Sequence, residues 1–85
     1  MDFTVVGNKV IARVRATKAV EVGKAFEIFQ MFRGQMSDVT HERDKEGHLY
    51  FIFEASFSSD VRASLAVTHY NITTGKVVVY GDCYI

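Results

Sequence analysis

From Phe3 to Ala16 apolar and polar side chains alternate around a Gly7-Asn8 pair. Period-two alternation on either side of such a pair predicts two antiparallel strands joined by a tight primed turn, in which Gly7 takes positive φ without steric cost. Pairing Val6 with Lys9 sets Val5 opposite Val10 and Phe3 opposite Ala12. Val10, Ala12 and Val14 then face the core, and Lys9, Ile11, Arg13 and Arg15 face the other way.

The period changes after Ala16. In TKAVEVGKAFEIFQMFRGQM, residues Val22, Ala25, Phe26, Phe29, Phe32 and Met36 recur at intervals of three and four, while Lys24, Glu27 and Gln30 fall outside that stripe. This is the pattern of an amphipathic helix with its apolar side on the core. Thr17 can cap its start, Glu21 stands in or near the first turn, and Gly34 supplies a stop.

The remainder reads as four strands of an antiparallel meander: SDVTHERD, HLYFIFEASF, VRASLAVTHYNI and KVVVYGDCYI. They are separated by turns at Lys45-Glu46-Gly47, Ser58-Ser59-Asp60 and Thr73-Thr74-Gly75. These loop lengths set a register in which Phe53 lies beside Leu65 and Cys83, Phe51 beside Val67 and Gly81, and Ala55 beside Ala63 and Ile85. The expected fold is α+β, a single helix packed on one face of an antiparallel sheet in the order β-β-α-β-β-β-β, forming one domain over residues 1–85. One helix covers one side of a sheet this wide, so the reverse face is expected to be open. In the same register that face carries Tyr50 with Tyr80, Ile52 with Asp82, and Glu54 with Tyr84, and it has Tyr70 and Val78 at its turn end.

Composition narrows what such a face could meet. Hydrophobic residues make up 48% and aromatic residues 13% of the chain, the balance of a folded globule. Ten basic residues offset ten acidic ones, so there is no long-range field to draw the protein onto nucleic acid or an anionic membrane. Cys83 is the only cysteine, which excludes an internal disulfide and points to a reducing, cytoplasmic setting. No secretory signal opens the chain, and no apolar run approaches the roughly 20 residues of a membrane helix.

Candidate chemistry is thin. HERDKEGH offers His41, Asp44, Glu46 and His48, but these flank a hairpin tip and the register sets His41 and His48 on opposite faces, so no metal site is expected. His69 falls on the core face without a carboxylate to make it a base, and Cys83 reads as a buried thiol. There is no nucleophile elbow and no Gly-rich phosphate loop. The expectation is a protein that is not an enzyme and uses no cofactor.

The tyrosine-bearing face is the distinctive feature. Tyrosine gives large contact area at small entropic cost and is enriched in protein interfaces. The expected function is therefore protein binding through Tyr50, Ile52, Tyr70, Val78, Tyr80 and Tyr84, with Arg13 and Arg15 at the rim. The partner is a second copy, or a larger protein that this one inhibits or regulates as an antitoxin or phage-type counter-defence protein would. The alternative is single-stranded nucleic acid, with bases stacked on the tyrosines and phosphates on Lys9, Arg13 and Arg15. It ranks lower because the chain is neutral and Glu54 and Asp82 share the face.

Overall fold

A computed structural model describes residues 1–75. Within them the chain forms an α+β fold, an open antiparallel sheet with two helices. Strand β1 (Asp2–Val6) and strand β2 (Lys9–Arg15) form the expected hairpin, with Val5 paired to Val10 and Phe3 to Ala12. Gly7 turns it at a φ of 62°, where a side chain would be strained. A short 3-10 turn (Ala16–Lys18) leads into helix α1 (Val20–Met31). Strands β3 (Gln35–Met36), β4 (Thr40–Arg43) and β5 (Leu49–Ser56) follow, and helix α2 (Asp60–Thr73) completes the described chain.

The sheet is built around β5. On one edge β5 pairs with β2, from Lys9 opposite Ser56 to Arg15 opposite Tyr50. Its other edge is shared, with β4 pairing the Leu49–Ile52 half and β3 pairing Ala55 and Ser56. The N-terminal hairpin therefore joins the sheet through β2, and β1 is an edge among the described strands.

Both helices pack on the same face. Val10 and Ala12 of β2, Phe53 and Ala55 of β5, and Phe57 meet Ala25, Ile28 and Phe29 of α1 and Ala63, Ala66 and Tyr70 of α2 in one core. Phe29 is its hub, with ring centroids 5.7 Å from Phe3 and 5.5 Å from Phe57. Burying side chains of this size stabilises the fold by about 1.5–3 kcal/mol each before entropy is counted.

Three expectations need correction. The first concerns VRASLAVTHYNI, which is helix and not strand, so the described residues hold two helices and the rows that paired Leu65, Val67, Ala63 and His69 with β5 do not exist. Ser59 caps α2, its Oγ accepting the Arg62 N–H at 3.1 Å, and Asp60 sits in the first turn. The helix buries small residues, Ala63 and Ala66, so its axis can approach the sheet, while Leu65 is 52% exposed. His69 is exposed and lies against Phe32, ring centroids 5.6 Å apart.

The second correction is at the start of α1. Thr17 lies in the 3-10 turn and does not cap the helix, whose N-cap is Ala19 with no side-chain hydrogen bond. The third is at its end. Arg33 takes the left-handed conformation at φ 62°, donating its N–H to Gln30, and the Gly34 N–H bonds to Phe29 O at 2.9 Å. This is a Schellman stop with arginine where glycine is usual. Gly34 serves a different need, because a Cβ there would lie 2.7 Å from Phe57 Cε2.

The positions expected for Val78, Tyr80, Gly81, Asp82, Cys83, Tyr84 and Ile85, and with them the last strand of the meander, lie outside the described residues.

Candidate functional site

β2 and β5 position the site. Period two sends Val10, Ala12 and Val14 to the helices and leaves Ile11, Arg13 and Arg15 on the reverse face. On β5 it sends Phe53 and Ala55 inward and leaves Tyr50, Ile52 and Glu54 outward. Since both helices lie on the core side, this reverse face is uncovered among the described residues. It brings together four of the residues expected there: Arg13, Arg15, Tyr50 and Ile52.

Their arrangement is specific. Arg13 extends over the neighbouring strand, its guanidinium carbon 3.7 Å from the centroid of the Tyr50 ring. Beyond the ring its Nε lies 3.6 Å from Glu42 Oε2 on β4. Arg15, directly opposite Tyr50, stands 5.6 Å from the same ring. The stack is worth about 0.5–1 kcal/mol at such an exposed site. The Arg13–Glu42 pair, with both side chains well exposed, adds little. Arg13 therefore holds Tyr50 in place without being firmly committed to it.

Two shallow clefts flank the stack. One, of about 370 Å³, lies between the Arg13, Arg15, Lys18 and Tyr50 side chains and Asp2. The other, of about 480 Å³, opens over Ile52 between Asp38, Thr40 and Glu54. The first is rich in cations and the second in carboxylates. Cations dominate one side and carboxylates the other: Lys9, Arg13 and Arg15 line β2, with Asp2 of β1 beside Arg13, and Glu42 and Glu54 lie on the β5–β4 side.

Tyr70 does not belong to this face. It is fully buried on α2, packed edge-on against Phe3 with ring centroids 5.1 Å apart. Its hydroxyl donates to Glu21 Oε1 at 3.5 Å, the carboxylate that also meets the Met1 ammonium at 3.0 Å. Burial, reinforced by the charge and hydrogen bond of Glu21, pushes the Tyr70 hydroxyl up to about 12. The expectation failed because a strand reading puts residue 70 outward where a helix turns it in.

The hairpin tip beside Tyr50 draws Asp44, Glu46 and His48 together, with ligand-type atoms all within 4.8 Å of one another. His41 is not among them; it lies on β4 opposite Phe51. The Asp44 carboxylate is fully employed in shaping the turn. Its Oδ1 accepts the N–H groups of Glu46 and His48, each at 2.9 Å, and its Oδ2 lies 3.1 Å from His48 Nδ1 and 3.4 Å from the Tyr50 hydroxyl. Desolvation works to raise this carboxyl, but the His48 and Glu46 hydrogen bonds and the His48 ring outweigh it and hold it below the ordinary carboxylate range. Sequence reasoning missed this link between the turn and the face. The spacing of Asp44, His48 and Tyr50 on the two sides of a tight hairpin was the signal available.

No helix among the described residues is long and apolar enough to cross a membrane. Comparison with protein families, with curated proteins and with solved structures finds no match to this chain.

Proposed function

We propose that this protein acts by binding another protein surface through the reverse face of its sheet, as an interaction module and not as a catalyst. The observation that carries the reading is the face left uncovered among the described residues. It presents Ile11, Ile52 and a tyrosine held in a defined pose, surrounded by charges of both signs. A half-buried apolar centre with an aromatic–arginine anchor and a polar rim is the anatomy of a protein interface. A module of this kind inhibits or regulates the protein it covers, or pairs with its own copy.

The same geometry speaks against a nucleic-acid platform. One side of the Tyr50 ring is taken by Arg13, and Tyr50 is the only tyrosine on the face among the described residues. Base stacking needs free rings in succession.

The test compares three immobilised proteins in extract of the source organism: wild type, Ile52→Asp, and Ser64→Asp as a control on the exposed side of α2. A protein retained by wild type and by Ser64→Asp but lost with Ile52→Asp supports the reading. Retention of single-stranded oligonucleotides alone, weakening steeply with salt, overturns it.

A further inference from the structure

We infer that the partner of the reverse face offers an extended acidic segment, whose carboxylates enter the cleft between β2 and the 3-10 turn and meet Arg13, Arg15 and Lys18. The inference rests on the protein-binding reading above and gives that reading the chemistry of its partner. Its ground is a local surplus of positive charge in a concave place. The cleft, of about 370 Å³, is lined by all three cations together with Tyr50, and Asp2 is the one carboxylate among its lining residues. Asp2 stands level with Arg13 on the neighbouring strand, yet among the described residues it forms no ion pair. Arg15 and Lys18 likewise have no acidic partner among the described residues. Solitary cations are ordinary on a surface. Three of them lining one cleft concentrate their field there and attract anions to it.

The geometry selects the shape of the ligand. Arg13 and Arg15 stand two residues apart on one strand, which sets them about 6.6–6.8 Å apart on the same face. Acidic side chains at alternate positions of an extended segment repeat at the same interval, so two successive carboxylates match two guanidinium groups. Lys18 reaches the same cleft from the 3-10 turn that follows β2. The Arg13 guanidinium carbon lies 3.7 Å from the Tyr50 ring centroid. Stacking occupies the flat of a guanidinium and leaves its N–H donors in the plane, where a carboxylate is held by two parallel hydrogen bonds. The Arg13 contact with Glu42 is loose, 3.6 Å between side chains 39% and 53% exposed, and yields to a better-placed acid.

The rest of the face favours carboxylates of a protein over phosphates of a nucleic acid. Glu42 on β4 and Glu54 on β5 would repel a continuous polyanion laid across the sheet, whereas a protein segment carries its acids only where the cleft is. The other charged cluster, at the hairpin tip, pairs within itself: His48 Nδ1 lies 3.1 Å from Asp44 Oδ2 and 3.6 Å from Glu46 Oε1.

The probe is an octapeptide of alternating glutamate and threonine, blocked at both ends and titrated into the isotope-labelled full chain. Saturable amide shifts centred on Arg13, Arg15, Lys18 and Tyr50 are expected. Arg15→Ala with Lys18→Ala should weaken binding at least tenfold. Lys24→Ala with Lys45→Ala, which removes equal charge elsewhere, should leave it within twofold. All four side chains are exposed, so both variants should fold, and unchanged amide spectra away from the substitutions check this. The same eight residues arranged as a glutamate block and a threonine block should bind at least threefold more weakly, and equal binding overturns the match to alternate positions. No shifts up to 2 mM peptide, or shifts spread evenly over the lysines, overturn the inference. A thymidine octanucleotide that moves the same amides at lower concentration overturns it in favour of nucleic acid. A protein captured by wild type, lost with Ile52→Asp and retained by Arg15→Glu with Lys18→Glu overturns the acidic segment and leaves the protein-binding reading standing.

Discussion

Phe57 lies so close over the backbone of Gly34 that a Cβ at residue 34 would stand 2.7 Å from its Cε2 and 3.2 Å from the carbonyl oxygen of Phe29. The ring is 4% exposed and cannot retreat without leaving the core. Gly34→Ala should therefore destabilise the fold by about 1–3 kcal/mol, the scale of overpacking. Urea unfolding measures the loss, and Phe57→Leu in the same chain should recover part of it. At the neighbouring residue the sign reverses. Arg33 sits at φ 62°, and Arg33→Gly should stabilise by about 1 kcal/mol.

Helix α2 makes opposite demands of two adjacent residues. Ala66 is fully buried and Leu65 is 52% exposed. Leu65→Ala should cost less than about 1 kcal/mol, whereas Ala66→Leu should cost about 1–3 kcal/mol by forcing the helix off the sheet. A strand at this place would invert the order, so the pair of thermal unfolding curves decides between the two.

That same segment shows where sequence reading succeeded and where it failed. The β1–β2 hairpin was legible to the residue, because Gly7-Asn8 admits one turn and a one-residue slip would bury Arg13. The β4–β5 hairpin was legible for the same reason around Gly47. In 61–72 the two periods coincide. Ala63, Leu65 and Val67 alternate as a strand would, and Val, Thr, Tyr and Ile favour strands. The true stripe, Ala63, Ala66 and Tyr70, has helical spacing but two of its three members are alanine, which carries little hydrophobic signal. Ser59-Asp60 was the overlooked cue, a cap followed by a first-turn acid. Of the candidate face, the placement of the residues on β2 and β5 was legible. Arg13, Arg15, Tyr50 and Ile52 come from strands read correctly, and Tyr70 was lost with the helix.

Tyr70 gives the protein an alkaline limit. Its hydroxyl lies at about 12 in the folded chain against an ordinary 10.0, so folding favours the protonated form. The stability this group contributes is fully present below pH 10 and is lost as pH rises through 12. Tyr70→Phe should lack this loss, although it gives up the bond to Glu21. Chemical unfolding at a series of pH values from 9 to about 12 follows both proteins.

Asp44 gives the corresponding acid limit at the hairpin tip. Its folded pKa lies below the ordinary 3.8, so its contribution is present above 3.8 and disappears as pH falls through the lower folded value. Asp44→Ala should be less stable than wild type at neutral pH, with the gap closing in acid. The Tyr50 ring signals should shift in the same variant, because the Asp44 carboxylate lies 3.4 Å from the Tyr50 hydroxyl.

Among the described residues, the central strand is the last strand to be made. β5 is bordered by β2 on one side and by β3 and β4 on the other, and all three precede it in the chain. As the polypeptide leaves the ribosome, the β1–β2 hairpin is complete while the edge that β5 will occupy is still bare, and Val10 and Ala12 lack the Phe53 and Ala55 side chains that complete their cover. Closing that edge spans the loop that contains α1, a slow step compared with forming either hairpin. The nascent chain therefore carries an open, valine-rich strand edge for the time it takes to reach Ser56, and the arrival of β5 ends its exposure to aggregation.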